Sequence, residues 1–577
     1  MSLQKGNVGK SVEELVVVSE NGHFESDNLH DDQHEHDMDR KSPAARYGSR
    51  QIGAVILPNQ LQNAINAIES DKVQLHSDAK RLFFDEEETD AEGVWTTHYS
   101  PKDYRSQKQA SRHSGRDGAA FATIALPAHY SAVLTVLDHV KRRLEPSWKV
   151  ERVIDWGAGT GSGLWAALHT FQNSKQPAGT NNPENKIVAN SSVVNYLGID
   201  KREGLVTIAK RLFEGIDVGN LSLRWQKSFK EVDQVPRSQG HDTVALSSFM
   251  LTSLPTAQHR KALVKEMWES GAHLMVLIDH STNAGFEAIA EAREYLLNMG
   301  RKEFDDIETK EWPIRGSHVV APCPHDGVCP LHHPGSTRLV CGFSQRIQRP
   351  SFVRKTKHSG VGHEDIDYSY VVIRRGQRPV PSISNVGRIG EVGRRASEKE
   401  ALSAATIKEL KLDSEHELSA DETHVAATNQ LNTETENTHL TPEELEEALR
   451  LESYSWPRLV FTPLKKSGHI ILDSCSPEAK ILRMTIPRSQ GKQAFYDARK
   501  ASWGDLFPHP PKNPPQDYYQ PTRAKREGGT TPVRGSDIGK RKRNNNHVSY
   551  EALSKDLKEA RKKSSRHRGP KFSDVDF

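Results

Sequence analysis

The 577-residue chain predicts an α/β fold: a doubly wound sheet with a cysteine-rich loop inside it and a small β module after it. Three observations carry that reading. From residue 151 to about residue 376, short apolar runs alternate with helical patterns, as a mostly parallel sheet with crossover helices requires. The first of those runs ends in a glycine-rich turn that opens a helix. Three of the four cysteines then crowd into one proline-broken stretch, residues 321–343, while the fourth stands far downstream at Cys475.

Composition sets the frame. Charged residues are 27% of the chain and hydrophobic ones 35%, which predicts a soluble chain with much loop content. No run approaches the ~18–20 continuous apolar residues of a membrane span, so no membrane is expected. Four cysteines at this length do not make a secreted disulfide framework, and a reducing compartment fits better. The net charge of +3 conceals segregation: residues 398–450 hold 14 Asp/Glu against 4 Lys/Arg, and residues 523–577 hold 16 Lys/Arg against 7 Asp/Glu. These shifts divide the chain into a disordered N-terminal segment (1–50), a helical region (51–150) and the sheet domain (151–380). A disordered acidic insertion (381–453), a basic β module (454–510) and a basic disordered tail (511–577) complete it. The N-terminus is not Arg-rich and acid-poor, so no transit peptide is expected at residue 1. Within the helical region, Val133, Val136, Leu137, Val140 and Leu144 recur at helical spacing and predict a helix over 128–144.

The sheet domain opens with RVIDWGAGTGSGLWAAL (152–168). Glycine is needed where a backbone turns tightly and meets a ligand with no Cβ in the way. As a dinucleotide fingerprint the spacing fails in its first two registers, and the third starts too far beyond the strand. A Walker A loop is excluded because no Gly-Lys-Ser/Thr closes the turn. Directly after the strand stands Asp155-x-Gly157-x-Gly159-x-Gly161, which resembles motif I of class I S-adenosylmethionine-dependent methyltransferases. A second strand, VVNYLGID (193–200), ends in Asp200, an acid placed to accept ribose hydroxyl hydrogens or simply to cap the next helix. The polar stretch 172–190 between them reads as a surface insertion. A helical run from Leu205 to Phe213, strands in 241–255, 273–280 and 368–376, and helices over 259–270 and 285–298 complete the alternation. Catalysis has less support. After the fourth strand, Ser247-Ser248-Phe249-Met250 lacks the Asn/Asp-Pro-Pro-aromatic turn with which amino-methylating enzymes of this fold grip an amine, and no general base stands out. The catalytic residues are therefore unassigned.

Cys323-x5-Cys329-x11-Cys341, with Cys475, reads as one four-thiolate metal centre. It contains no C-x-x-C knuckle of structural zinc and no familiar ferredoxin spacing. Tetrahedral zinc and an iron–sulfur cluster both suit such a donor set. His325, His332 and His333 lie close enough in sequence to replace one thiolate at zinc.

CPHDGVCPL, CGFSQRIQRPSF, GHEDIDYSYVVIRRG, KKSGHIILDSCSPEAKI and QAFYDARKASWGDLF, behind the glycine turn, together resemble one family over roughly residues 120–376 and 455–508. It is the methyltransferase-like family of mitochondrial small-ribosomal-subunit proteins and assembly factors. The resemblance implies a 4Fe–4S cluster on Cys323, Cys329, Cys341 and Cys475, with zinc as the alternative. It implies S-adenosyl-L-methionine near Asp155, Gly157, Gly159, Gly161 and Asp200. It also implies partners in small-subunit rRNA and ribosomal proteins, with no DNA, and a place in the mitochondrial matrix, with the fold serving chiefly as a binding platform. The chain departs from the pattern in its N-terminus, which implies a misassigned start or import through the later basic stretch, and in the acidic segment 398–450.

The β module suits RNA on its own chemistry. Lys465, Lys466, Arg483, Arg488, Lys492, Arg499 and Lys500 surround Phe495, Tyr496 and Trp503, and cations meet phosphates while rings stack on unpaired bases. Basic runs at 540–543 and 561–563 extend the charge. The expectation is a small-subunit assembly factor with little or no catalysis. The alternatives are an active rRNA methyltransferase and a permanent structural ribosomal protein holding zinc.

Overall fold

A computed structural model describes residues 40–519, apart from 50–51, 69–71, 86–93, 100–106, 174–185, 313, 336, 338, 381–383 and 415–439. The surface insertion expected at 172–190 lies partly outside these residues, and the basic runs of the tail lie wholly outside them.

The short strands β1 (Phe84–Asp85) and β2 (Val94–Trp95) pair in an N-terminal hairpin. The main sheet holds β3 (Arg152–Trp156), β4 (Asn195–Ile199), β5 (Ser222–Gln226), β6 (Thr243–Ser248), β7 (Leu274–His280), β8 (Ser317–Ala321), β9 (Phe343–Gln348) and β10 (His363–Arg375). Its order is β5-β4-β3-β6-β7-β10-β8, with β9 also on β10. The first five are parallel, and β10 runs antiparallel to β7, β8 and β9. The chain reverses direction across the sheet between β3 and β6, the switch point where open α/β sheets bind ligands. This is the doubly wound, methyltransferase-like sheet expected.

Strand periodicity decides the two faces. Val153, Tyr196, Val244, Leu246, Val276 and Ile278 pack against helices α1 (Gln107–Arg143), α2 (Ser162–Thr170) and α3 (Glu203–Arg211). Ile154, Leu197, Ala245, Met275 and Leu277 pack against α4 (Ala257–Glu269) and α5 (Asn283–Asp305) on the other face. Strands covered on both sides read as continuous apolar runs, which is why most were legible. β5 was not: it is an edge strand of alternating exposure carrying Ser222 and Arg224.

Three expectations are corrected. The helix expected at 128–144 begins at Gln107 and runs through Pro127 for 37 residues. A proline inside a helix costs about 3 kcal/mol, but α1 is wedged between the sheet, α2 and α3, and that burial outweighs it. The helix is long and apolar enough to cross a membrane, yet its most apolar window is wholly buried in the protein. The acidic stretch 381–453 was expected to be disordered, yet it forms helices over Glu391–Ser414 and at α6 (Pro442–Glu452). Thr441 and Glu444 close a reciprocal capping box, and the buried Glu452 accepts from Arg388 at 2.8 Å. Finally, the inner bounds of the two terminal segments expected at 1–50 and 511–577 shift. Residues Pro43–Gly48 form a short helix, and β15 (Gln516–Tyr519) pairs with β14 (Ile481–Pro487).

The C-terminal sheet has the order β11-β13-β14-β15, where β11 is Arg458–Leu459 and β13 is His469–Cys475, and β12 (Leu464–Lys465) pairs with β13. Helix α7 (Lys492–Lys500) covers it through Ala498. Arg458, almost fully buried, donates to Pro322 O at 2.6 Å, and Arg378 donates to Tyr454 O at 3.0 Å, so guanidinium–carbonyl bonds tie the module to the main domain.

Candidate cofactor cleft and thiolate centre

The glycine turn comes directly after β3. Gly157, Gly159 and Gly161 have φ of 78°, 54° and 89°, the left-handed region where a Cβ is strained. A Cβ on Gly157 would also come within 2.7 Å of the Met250 side chain. Gly163, which the motif does not include, is as demanding: its Cβ would sit 2.5 Å from Asp155 Oδ2. Asp155 is wholly buried beneath the first turn of α2. Burial pushes its carboxyl up to about 7, against the opposing bond that Tyr196 donates at 2.9 Å. Its Oδ1 has no partner among the described residues.

Asp200, at the tip of β4, accepts from the backbone N–H of Gly159 at 2.9 Å and of Arg202 at 2.8 Å. The Arg202 side chain grips it as well. The turn and Arg202 line a cleft open to solvent, with Asp200 bonded to both. Its other walls come from distant elements: His98 and Tyr99 after β2, Phe121 and His129 on α1, Ser248 and Phe249 at the end of β6, and His280 ending β7. Sequence spacing carries no signal for such a set, because long stretches of chain separate these elements. Burial holds His129 well below the usual histidine range, with the neighbouring His280 disfavouring a second proton in the cleft, and burial takes His280 down to about 3. Both rings are therefore neutral at physiological pH.

The turn after β6 was expected to lack an amine grip. Phe249 occupies it with φ 54°, and its ring stacks on His129 at 3.9 Å between centroids and 12° between planes. A phenyl ring offers no acceptor for an amine hydrogen.

The cysteines lie at the seam between the two sheets. The loop holding Cys323, Cys329 and Cys341 joins β8 to β9, whose near ends pair with Val372 and Tyr368 of β10. Cys475 ends β13 and pairs in register with Arg458. The structure brings it to the others: Cys475 packs with Cys329 and Cys341 around Leu331, Val460 and Ile481. Its Sγ lies 3.3 Å from His325 Nε2. Burial, then the charges of Cys323, Cys329 and Cys341, raises the Cys475 thiol well above its ordinary value. Burial likewise pushes Cys329 up to about 11, with help from Cys323, and Cys341 well up, with help from Cys323 and Cys329. All four are free thiols.

Among the described residues, no three His, Cys, Asp or Glu side chains close on a single-ion site. Two buried guanidiniums stand beside the four thiols. Arg293 of α5 donates to Gly327 O at 2.8 Å and His325 O at 2.9 Å. Burial works against its charge, but Cys323, Cys329 and Asp326 outweigh that and raise its pKa. Arg458 approaches Cys341 from the module side.

The expected basic surface is modified in detail. Arg483 is held by Asp473 in a bidentate pair at 2.7 and 2.9 Å, inside the module. Arg488 lies over Phe495 and Arg40 over Tyr496. Desolvation lowers the Lys465 pKa, the charges of Lys500, Arg499 and Lys41 lower it further and Asp505 opposes them, which places four cations together beside one carboxylate. Lys41 arrives there because Ser42 bonds Asp497 of α7 through both its backbone N–H and its hydroxyl.

The chain is 25% identical to Rsm22-cox11 tandem protein 2, mitochondrial, of Schizosaccharomyces pombe over 67% of its own length and 43% of that protein. It is 22% identical to the human ribosome assembly protein METTL17, mitochondrial, over 69% of this chain and 64% of that one. It is 24% identical to the Saccharomyces cerevisiae ribosome assembly protein RSM22, mitochondrial, over 66% and 65%. It thus spans less than two thirds of each. Among solved structures it resembles the plantazolicin methyltransferase BpumL in complex with SAH, at 10% identity and a TM-score of 0.23, over 55% of this chain and 99% of that one; the fold assignment rests on the strand order. The family model described as mitochondrial small ribosomal subunit Rsm22 matches residues 116–409 and 413–508, running through most of the acidic segment expected to interrupt it, and the chain belongs to that family.

Proposed function

We propose that this protein is an assembly factor of the mitochondrial small ribosomal subunit that binds S-adenosylmethionine and a 4Fe–4S cluster and contacts small-subunit rRNA, with little or no methyl transfer. The observation that carries the reading is the arrival of Cys475, from the basic module, among three cysteines of the main domain. Cys323, Cys329, Cys341 and Cys475 would hold the cluster, and Arg293 and Arg458 would balance its thiolate charge. When bound, the cluster supplies a covalent cross-link between two sheets that otherwise meet through guanidinium–carbonyl bonds and a small apolar cluster. The glycine turn at Asp155–Gly161 and Asp200 would hold the methyl donor. The cations around Lys465 would meet RNA phosphates. The stack of Phe249 on His129 supports a platform rather than a transferase, since it fills the position of an amine-gripping turn with hydrocarbon.

The test is anaerobic purification of the full chain and of Cys475→Ser, with iron, sulfide and zinc analysis, visible absorption, and binding to small-subunit rRNA. Iron with equivalent sulfide in the parent, lost in Cys475→Ser together with rRNA affinity, is the expected result. Zinc in the parent, or rRNA binding indifferent to the substitution, sinks the proposal. Incubation with labelled methyl donor and rRNA separates platform from enzyme.

A further inference from the structure

We infer that Arg202 sets how tightly the cleft takes an adenosine-type ligand, because its guanidinium occupies the positions on Asp200 that a ribose diol needs. The inference rests on the reading of the cleft as a nucleoside-cofactor site.

The argument is a count of lone pairs. An ionised carboxylate offers about four acceptor positions, two on each oxygen. In Asp200, Oδ1 accepts from the backbone N–H of Arg202 at 2.8 Å and from its Nε at 2.9 Å. Oδ2 accepts from the backbone N–H of Gly159 at 2.9 Å and from Arg202 Nη2. All four positions are filled. Two are filled by main chain, which fixes the carboxylate against the glycine turn whatever the side chain does. The other two, one on each oxygen, belong to the guanidinium. Its departure would free two acceptors, the number that a 2′,3′-diol uses at a strand-tip acid.

The guanidinium has somewhere to go. The Arg202 side chain is 33% exposed against 3% for Asp200, and it lies at the wall of the cleft, 5.8 Å from the Tyr99 ring. A nucleoside therefore binds the fraction of molecules in which the pair is open, and its apparent affinity falls by that fraction. Because the arginine is partly in solvent, salt weakens the pair. Added salt should then strengthen the binding of an uncharged nucleoside, opposite to its effect on a simple electrostatic contact.

The experiment uses the full chain and two probes, adenosine and S-adenosylhomocysteine, titrated by calorimetry at about 50 mM and about 500 mM NaCl. The variants are Arg202→Met, which keeps the apolar stem, Arg202→Lys, which keeps a charge but not the fork, and Asp200→Asn. Thermal unfolding of each variant shows that it is folded. The expected result is binding about tenfold tighter in Arg202→Met, intermediate in Arg202→Lys and lost in Asp200→Asn, with salt tightening adenosine in the parent but not in Arg202→Met. Equal or weaker binding by folded Arg202→Met overturns the role assigned to Arg202 and leaves the cofactor reading standing. Absence of binding to the parent and to every variant overturns both.

Discussion

Replacing Asp155 with asparagine should remove one component of the protein's pH-dependent stability, and its size derives from the burial of that side chain. In the fold the carboxyl titrates at about 7, against 3.8 for an ordinary carboxyl, because it is wholly buried. Between those values the folded chain holds a proton that the unfolded chain has released. Stability therefore falls as pH rises, by about 1.4 kcal/mol per pH unit. The contribution is fully present below the unfolded value and is lost as pH climbs through about 7. From pH 5 to pH 8 the loss is about two units of that slope, on the order of 2.7 kcal/mol. The amide oxygen of Asp155→Asn accepts from Tyr196 as the acid does but does not titrate, so ionisations remote from the site cancel in the difference between the two proteins. The assay is urea unfolding at pH 5, 6, 7 and 8, monitored through the fluorescence of the buried indoles Trp156 and Trp165, which flank the site. The parent should lose stability relative to Asp155→Asn across that range and run parallel to it above pH 8. Profiles parallel throughout, or a parent that gains on the variant as pH rises, would refute the reasoning.

Other consequences are as direct. Gly157→Ala sets a methyl group against Met250 at a φ of 78°, and should cost about 1–2 kcal/mol of stability and most nucleoside affinity, measured by unfolding and calorimetry. Asp497→Ala strips the buried acceptor shared by Ser42, Gln493 and His509; a loss of roughly 3–5 kcal/mol and faster hydrogen exchange over residues 42–48 are expected. Lys465→Glu combined with Arg499→Glu should weaken binding to single-stranded RNA of any sequence and shallow its dependence on log salt by about 0.7 per lost phosphate contact, whereas an unaltered slope would remove these cations from the interface.

What the sequence revealed depended on how local each signal was. The glycine turn and the paired faces of the main sheet were legible because tight turns and doubly covered strands impose their residues within a few positions. The grouping of the cysteines was legible because the chain uses so few. The capping box at Thr441 and Glu444 stands in plain view but reads as acidic composition. Pro127 reads locally as a boundary, and only the packing on several sides of α1 overrides it. Nothing in HDTVALSSFMLTSLP announces that Phe249 will stack on His129, a contact made across 120 positions of chain. Arg202 is invisible for another reason: beside an acid at a strand tip, an arginine looks like one more surface charge until its bonds are counted.

The bond from Ser42 to Asp497 joins residues 455 positions apart. Synthesis proceeds at about 5–20 residues per second, so the earlier residue waits roughly 20 to 90 seconds before its seat exists. Cys475 emerges in the same final interval. A translation product truncated before residue 475 therefore carries neither the clasp on its leading segment nor the last thiol, and closure of the clasp marks a polypeptide that has extended past Asp497.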